Sequence, residues 1–548
     1  MSRTAAKPPE RATYVATRSD WDWLRSEQRK LYRRSDEQLD YVFRKLWGLV
    51  TDLRNLRIAL ARVASNRGAR TSGVDGVTVG KALARGAESF LSGLRDELRS
   101  GQYKPSPVRR VQIPKRGQPG KFRPLGIPTV KDRVVQAAMK NIMEPIFEAD
   151  FFPVSYGFRP GKSAHGALTH LRVLLRPKER GSKDDRQLPY QWALEGDIKG
   201  CFDHINHHAL MEQVRRRVAD PKVNRLVVAF LKAGVLAQLE YQRTDEGTPQ
   251  GGILSPLLAN IALSVIESRY ARHVWPRHIP ATRANSQTPL GRAQRARSYD
   301  RHNGRMVLFP IRYADDFIIL VGAPVGASEA ERAEAARQRA EQEKTELAAF
   351  LKDALGLELS EAKTLVTPVT KPMRFLGHQV RVRRHPVHGR LVSTAVIPRE
   401  RSHQLRERIK DLFRSRTQDS SLGERLRFLN PLLRGWSNFY RYAWGAKMVF
   451  GAVDHYVWHT IFRWLRKKHH RVPIRQLLRR YGHRSPRGRS TYWREGTTFS
   501  YRMSPVPVGP YRLAEERPPH FALAHGEPGA LRKVPAGFGK GPLETTET

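Results

Sequence analysis

An α+β fold is predicted by two kinds of pattern that alternate along most of the chain, and by a change near residue 398. Residues 108–114 and 311–320 are short, rich in β-branched and aromatic residues and bounded by Gly, Pro or polar turns, which is typical of strands. Residues 35–65 carry apolar side chains at helical spacing, and residues 329–355 are rich in Ala, Glu and Arg, as expected of helices. From about residue 398 to residue 484 the pattern predicts helices alone.

Charge is the property that most narrows the class of protein. The 548 residues include 98 Lys and Arg against 52 Asp and Glu, a formal net charge of +46 that is spread along the chain. Such a surplus repels itself unless a polyanion offsets it, so a nucleic acid on a long basic track is the expected partner. A membrane is not expected, because no apolar stretch is long enough to cross a bilayer. A chain of this length predicts three or four domains or subdomains.

The number of cysteines and the first residues of the chain indicate the cellular compartment. Cys201 is the only cysteine, which excludes a disulfide framework or a Cys-based zinc site within one chain. Residues 1–18 are basic but lack an apolar core and contain Pro8 and Pro9, so they do not have the pattern of a secretory signal. We therefore expect a reducing setting, the bacterial cytoplasm, in association with nucleic acid.

The remaining segments complete the predicted order. Residues 66–76 are a basic, Gly-rich loop, which is either a phosphate cradle or an ordinary connector. Residues 115–117 are the cationic tip of a predicted hairpin. Other predictions are helices at 132–146, from residue 164, at 207–235 and at 255–270, a surface loop at 176–189, a mobile or RNA-facing loop at 275–305, and short strands at 359–364 and 374–378.

Three aspartates are the candidate catalytic residues. Asp315 and Asp316 lie between two predicted strands, so both can reach one place at the tip of a hairpin. Asp197 ends another predicted strand, at 192–198. Aspartate is also a common turn residue, but two neighbouring strands of one sheet would bring all three carboxylates to a common edge. There they would hold two Mg²⁺ or Mn²⁺ ions about 3.5–4 Å apart, as nucleotidyl transfer requires.

The order of further motifs resembles the reverse transcriptases encoded by group II introns, which also act as maturases. Residues 313–316 resemble the polymerase motif with two aspartates, residues 197–203 the motif that carries the first aspartate, and residues 247–256 the motif between them. The blocks 73–76, 122–128 and 156–160 and the stretch 432–468 match further parts of the family in the expected order, so that the resemblance covers about residues 40–480.

This resemblance implies a right-hand polymerase of fingers, palm and thumb with an antiparallel palm sheet. The implied divisions are an N-terminal helical extension with the basic loop at 1–100, fingers and palm at 101–395, a helical thumb or maturase domain at 396–484, and a partly disordered basic segment with a possible DNA contact at 485–548. Many family members end in a zinc-type endonuclease domain, which a chain with one cysteine cannot build.

The resemblance also implies roles for residues of the site. Asp197, Asp315 and Asp316 are implied metal ligands, with the Ile198 carbonyl as a fourth. Phe202 stands where the family excludes a ribose 2′-hydroxyl. Implied nucleotide contacts are Gln250 and Gly251 beside the incoming dNTP, Arg123 on its triphosphate with help from Lys115, Arg116 or Lys121, and Lys363 as a proton donor to pyrophosphate or a structural residue.

The implied partners are an RNA/DNA template-primer, dNTPs, target DNA and a structured intron RNA, whereas the oligomeric state is not predicted. Aromatic residues between 430 and 471 are interleaved with basic ones, and we expect more than half of these aromatics to form a helical core. The predicted RNA-binding residues are Arg67, Arg70, Arg463, Arg466, Lys467, Lys468 and Arg471. The alternatives are a domesticated reverse transcriptase in phage defence or repair, and an RNA-binding splicing cofactor with incidental polymerase activity.

Overall fold

In the computed structural model, the described residues are 14–114, 120, 122–180, 182–237, 240–242, 251–277, 288–414, 417–484 and 491–511. They divide into two compact units. The first contains the described residues up to 167 and those of 190–368, and the second contains those of 168–189 and 369–511. The second unit thus takes up the chain again at residue 369, whereas the sequence-based division falls after residue 395.

The helices are α1 Arg18–Glu37, α2 Trp47–Val50, α3 Leu53–Ser65, α4 Val79–Ala84, α5 Ala87–Ser100, α6 Val130–Glu148, α7 Ala164–Leu174, α8 Cys201–His204, α9 His207–Arg215, α10 Pro221–Leu231, α11 Ser255–Arg269, α12 Ala271–Val274, α13 Pro289–His302, α14 Glu329–Leu355, α15 Arg399–Leu412, α16 Leu422–Tyr440, α17 Ala446–Lys468 and α18 Ile474–Tyr481.

The strands are β1 Val108–Pro114, β2 Phe122–Ile127, β3 Lys178–Arg180, β4 Ser182–Gln187, β5 Trp192–Asp197, β6 Val235–Ala237, β7 Glu240–Gln242, β8 Val307–Tyr313, β9 Asp316–Gly322, β10 Leu365–Pro368, β11 Met373–Phe375, β12 His378–Arg384, β13 Leu391–Val396, β14 Gly482–Arg484, β15 Thr491–Glu495 and β16 Thr498–Phe499. The mixture of helices and mainly antiparallel sheets confirms the α+β class.

The first unit is built around a four-stranded antiparallel sheet in the order β10-β5-β9-β8. Its central strands are apolar on both faces, because every residue of β9 from Phe317 to Gly322 is buried. Helix α14 packs against β5 and β9, and its apolar side chains Leu347, Leu351 and Leu355 are fully buried. A second sheet, in the order β2-β1-β6-β7, contains the predicted hairpin of β1 and β2.

The second unit combines a helical core with three small sheets among its described residues, one of which is the pair β3-β4. Helices α15, α16 and α17 bury one apolar cluster that includes Leu426, Phe450 and Trp464. The sheet β11-β12-β13 precedes these helices, and the sheet β14-β15-β16 follows them. Trp493 of β15 is buried against the ring of Trp458 at 5.2 Å between centroids. Most of the aromatic residues between 430 and 471 are buried in this apolar cluster or packed against it, so they serve as core, as expected.

Several predicted elements were wrong in extent or kind. The pattern of 35–65 predicts one long helix or two shorter ones, but residues 39–46 run without helix and Phe43 bridges Val218, so only residues 47–50 and 53–65 form helices after α1. The predicted loop at 176–189 contains the paired strands β3 and β4, and the predicted loop at 275–305 contains helix α13. Residues 359–364 form a turn rather than a strand. The helices-only prediction fails at β14, where the chain pairs with β15.

No helix in the described ranges combines the length and the apolar character that a membrane crossing requires.

Candidate active site

The tip of the β8–β9 hairpin carries two of the candidate carboxylates. The strands pair from Val307 with Gly322 to Tyr313 with Asp316, so Ala314 and Asp315 form a two-residue turn. Ala314 has a φ of +59°, the left-handed conformation that such tight hairpin turns use. Asp316 is the first residue of β9. The structure therefore brings both acids to one end of the sheet, as the sequence predicts.

The third carboxylate reaches the same end from the neighbouring strand. β5 pairs antiparallel to β9, and the register sets Asp197 directly opposite Asp316. Beyond the strand, Ile198 is buried and bridges Leu359, and the Ser360 N–H donates to the Asp197 carbonyl at 2.8 Å. Asp197, which lies more than a hundred residues before Asp315 and Asp316 in the sequence, therefore meets them at a common edge of one sheet.

The electrostatics of this edge disfavour negative charge in the protein alone. Burial raises the pKa of Asp315, and the charge of Asp197 raises it further. The side chain of Asp316 reaches solvent, yet surrounding protein atoms and the charges of Asp315 and Asp197 raise its pKa to about 6. The nearest compensation is Lys363, whose ammonium donates to Asp197 Oδ2 at 2.7 Å and whose own pKa is raised by that hydrogen bond.

The three carboxylates are suitable ligands for a divalent cation, although one of them, Asp197, forms an ion pair with Lys363 in this structure. Among the described residues, no three or more His, Cys, Asp or Glu side chains gather closely enough to hold a metal ion, and Asp197 is paired with Lys363 instead. Carboxylate oxygens on adjacent strands are nevertheless the ligands that Mg²⁺ and Mn²⁺ prefer. The raised pKa of Asp315 and Asp316 marks a place where an added cation would relieve repulsion.

A buried arginine fixes the turn that carries Asp315. Arg312 is fully buried and forms an ion pair with Glu267 of α11 at 2.7 Å. Its guanidinium also donates to the Ala314 carbonyl at 3.0 Å, to Asn260 Oδ1 at 3.1 Å and to Ser155 Oγ at 2.9 Å. One side chain thus ties the turn to α11 and to the segment before α7, which holds the position of Asp315.

The candidate sugar filter follows β5 closely. Phe202 lies in the short helix α8 and is half-buried. Its ring meets the edge of Phe158 at 6.2 Å between centroids and 79° between ring planes. The neighbouring Cys201 is buried, and burial together with the charge of Asp315 raises its pKa to about 12, so its thiol is protonated at neutral pH.

The predicted nucleotide contacts are described only in part, because Lys115, Arg116, Lys121 and Gln250 lie outside the described residues. Arg123 is exposed on β2. Gly251 has a φ of +115°, and a Cβ there would lie 2.2 Å from the carbonyl oxygen of Gly126. Since Gly126 also belongs to β2, the motif of Gly251 lies against the strand that carries Arg123.

The predicted RNA-binding residues differ in their surroundings. Arg67 and Arg70 lie on a short 3₁₀ turn and are exposed. In the second unit, Arg466 and Lys467 are exposed in the last turn of α17. Exposed cations also include Arg463 and Arg471. Lys468 differs, because its ammonium donates to the backbone carbonyls of Gln418 and Ser420.

The basic loop at 66–76 is held firmly by the first unit. Arg133 donates to the carbonyls of Gly68, Thr71 and Pro128, and Arg109 donates to the carbonyl of Ser72. The backbone of the loop is therefore anchored while its arginines remain exposed. This arrangement is compatible both with a phosphate cradle and with an ordinary connector.

The residues that position the site were missed by the sequence reasoning. These residues form a buried network that reaches the catalytic turn through the carbonyl of Ala314, and they are Ser155, Asn260, Glu267 and Arg312. The available signal was weak: Asn260 and Glu267 are polar residues on a mainly apolar helix, and Arg312 interrupts an apolar strand.

Comparison with known proteins agrees with this geometry. Residues 113–380 match the family described as "Reverse transcriptase (RNA-dependent DNA polymerase)", and residues 402–482 match "Group II intron, maturase-specific domain". The chain is 34% identical to "Group II intron-encoded protein LtrA" of Lactococcus lactis subsp. cremoris over 385 residues. The aligned region covers 65% of this chain and 59% of that protein.

Two further relatives show how widely the similarity extends. "Protein YkfC" of Escherichia coli strain K12 is 35% identical over 386 residues, which cover 68% of this chain and 92% of that protein. "Putative COX1/OXI3 intron 2 protein" of Saccharomyces cerevisiae is 25% identical over 407 residues, 70% of this chain and 44% of that protein. The matched region thus spans 59% of the lactococcal protein and 44% of the yeast protein, less than two thirds of either.

Proposed function

The chain belongs to the family of reverse transcriptases and maturases encoded by group II introns, and on that premise we propose that it copies RNA into DNA and binds a structured intron RNA to assist splicing and mobility. One observation carries the polymerase part of this proposal. Asp197 stands opposite Asp316 on adjacent strands, and Asp315 occupies the turn beside them. This is the arrangement that metal-assisted nucleotidyl transfer needs.

The proposed architecture is a right hand. We assign fingers and palm to residues 101–395, the thumb or maturase domain to 396–484, an N-terminal extension to 1–100 and a DNA contact to 485–548. The antiparallel sheet of the first unit supports a palm, and the helical core of the second unit supports a thumb. The basic charge supports a nucleic-acid-associated protein of the bacterial cytoplasm.

In the proposed mechanism, Asp197, Asp315 and Asp316 would hold two Mg²⁺ ions, for which Mn²⁺ could substitute, and the Ile198 carbonyl would be a further ligand. When bound, such cations would supply charge neutralisation at the attacking 3′-hydroxyl and the leaving pyrophosphate. Arg312 keeps the turn of Asp315 in place through the Ala314 carbonyl. Lys363 holds its proton beside Asp197 and would donate it to the leaving pyrophosphate.

The incoming dNTP is proposed to bind between the sheet edge and β2. Arg123 would contact the triphosphate with help from Lys115, Arg116 or Lys121, while Gln250 and Gly251 would line the nucleotide. The close approach of Gly251 to β2 supports this grouping. Phe202 would exclude a ribose 2′-hydroxyl, because an aromatic ring fills the space beside the sugar.

The second half of the proposal concerns the RNA partners. An RNA/DNA template-primer and an intron RNA are the substrates that the two matched families imply, and target DNA is proposed as a further partner. Arg67 and Arg70 would contact RNA in the first unit, and Arg463, Arg466, Lys467 and Arg471 in the second. Their exposure supports contacts with phosphates.

Primer extension by Asp315→Asn tests the polymerase assignment. The variant removes one carboxylate ligand, so Mg²⁺-dependent cDNA synthesis on an annealed RNA template should be abolished. Binding of the template-primer should be nearly unchanged, because one unit of charge is small against +46. Asp353→Asn, an exposed residue of α14, is the matched control. A variant that extends the primer at the wild-type rate would overturn the assignment.

A further inference from the structure

Phe158 has a backbone conformation that a bulky side chain rarely adopts. Its φ is +59°, in the left-handed region, where a large non-glycine residue is a genuine outlier. Its side chain is 46% exposed, so burial of the ring in a core does not account for the conformation. Such strain persists only where the surroundings impose it, and it is concentrated at functional sites.

The residues on both sides of Phe158 are fixed, which is what imposes this conformation. A Cβ on Gly157 would lie 2.3 Å from the backbone nitrogen of Ala314, and the Gly157 carbonyl accepts from Asn260 Nδ2 at 2.7 Å. On the other side, the buried guanidinium of Arg159 pairs with Glu148 at 2.7 Å. The chain therefore turns at Phe158 between two anchored neighbours.

The same anchors belong to the turn that carries Asp315. Arg312 donates to Ser155, to Asn260 and to the carbonyl of Ala314, and the Tyr156 N–H donates to the Arg312 carbonyl at 2.9 Å. The segment 155–158 is thus attached to the end of β8 beside the turn that carries Asp315. At its far end, the strained residue delivers its ring to the ring of Phe202.

We propose that Phe158 is a positioning residue for the sugar filter, and that its ring holds Phe202 in the orientation that rejects a ribonucleotide. This inference rests on the proposed function and adds a residue that selects the substrate class. The contact at 6.2 Å and 79° is an edge-to-face aromatic pair. Without this contact, the Phe202 side chain would adopt additional rotamers. In some of these rotamers the ring would leave space for a ribose 2′-hydroxyl.

The test is the ratio of kcat/KM for a dNTP to that for the matching rNTP in primer extension. Phe158→Ala should lower this ratio by roughly 2- to 10-fold, as expected from the worth of one such aromatic pair. Phe158→Tyr keeps the ring and should restore the wild-type ratio. Tyr299→Ala removes an aromatic side chain of similar exposure from α13 and should leave the ratio unchanged.

A double variant distinguishes positioning from an independent contact. If Phe158 acts through Phe202, then Phe158→Ala should add little to the loss of discrimination in Phe202→Val. Two effects that multiply would overturn the inference, as would an unchanged ratio in Phe158→Ala.

The folding of these variants needs its own check. Phe158→Gly relieves the positive φ and should lower discrimination in the same way without loss of thermal stability. Discrimination at the wild-type level in this variant would also overturn the inference. The proposed function fails on a different result, namely a wild-type protein that does not extend a primer with dNTPs at all.

Discussion

The ammonium of Lys363 lies 2.7 Å from Asp197 Oδ2 and occupies an oxygen that we propose as a metal ligand. A bound cation must therefore compete with a positive side chain that already neutralises Asp197. The hydrogen bond also raises the pKa of Lys363, so the competing side chain carries its positive charge at neutral pH. Metal affinity and the Lys363–Asp197 pair are consequently linked.

We predict that Lys363→Met lowers the Mg²⁺ concentration for half-maximal primer extension by about 1.4- to 5-fold, even though the maximal rate falls. An exposed ion pair of this kind is worth about 0.2–1 kcal/mol, which sets the size of the shift. Lys363→Arg keeps the positive charge and should retain the wild-type Mg²⁺ requirement. A requirement that is the same in Lys363→Met and wild type would show that the pair does not compete with metal.

The raised pKa of Asp316 predicts a stability that depends on pH in the absence of metal. Because its pKa is about 6 in the folded protein and about 3.9 when unfolded, ionisation disfavours the folded state. Its stabilising contribution is full below the unfolded value and is lost as the pH rises through about 6. In EDTA, Asp316→Asn should therefore raise the thermal midpoint at pH 8 and have a smaller effect at pH 5.

Addition of Mg²⁺ provides the complementary measurement for Asp316. The wild-type midpoint at pH 8 should rise with Mg²⁺, since a ligand that binds only the folded state stabilises it, and Asp316→Asn should respond less. Asp353→Asn is again the control for the charge change. An Asp316→Asn variant with a lower midpoint than wild type in EDTA at pH 8 would contradict the electrostatic account.

Burial of Arg312 predicts a large loss of stability on its replacement. Arg312→Met leaves the carboxylate of Glu267 buried without its partner, which costs about 3–5 kcal/mol. The double variant Arg312→Met/Glu267→Met should recover much of that loss. Urea unfolding followed by circular dichroism measures both. Arg337→Met breaks the exposed pair with Glu334 and should leave the urea midpoint almost unchanged; a similar shift in both single variants would contradict the role of burial.

The sequence predicted the sheet edge well because local pattern and chemistry agree there. The stretches of β5, β8 and β9 are apolar, β-rich and bounded by the acids themselves, so the strands and the candidate ligands could be identified together. Only the register, which sets Asp197 opposite Asp316, required the folded sheet. The position of Phe202 beside Phe158 lay beyond local pattern, because it depends on a left-handed residue that no propensity favours.

The wrong predictions share a physical cause, which is that tertiary contacts override local preference. Residues 39–46 have helical spacing, but Asp220 of a distant segment accepts from the backbone N–H groups of Leu46 and Trp47 and fixes the entry to α2. Helix α13 forms in polar, Arg-rich sequence because Asp300 is buried and paired with Arg272 and His273. In both cases the interacting residues are far apart in sequence, so the local sequence pattern could not predict these contacts.

Replacement of the exposed cations at the end of α17 tests whether RNA binding can be separated from polymerisation. We predict that the triple variant Arg463→Ala/Arg466→Ala/Lys467→Ala weakens binding of a structured intron RNA. The slope of log affinity against log salt should fall by roughly 0.7–0.9 for each phosphate that the variant no longer neutralises. Extension of an annealed short primer at saturating protein should change far less, because the three aspartates belong to the other unit.

Two controls make this last comparison decisive. Arg399→Ala/Arg401→Ala/Lys410→Ala removes the same charge from exposed positions of α15 and should preserve the slope if the α17 cations bind RNA specifically. Lys468→Ala removes a cation that donates to the carbonyls of Gln418 and Ser420, so it should lower thermal stability rather than the slope. Equal slopes for the two triple variants, or parallel decreases in binding and extension, would assign the α17 cations a structural role and remove the support they give to RNA binding.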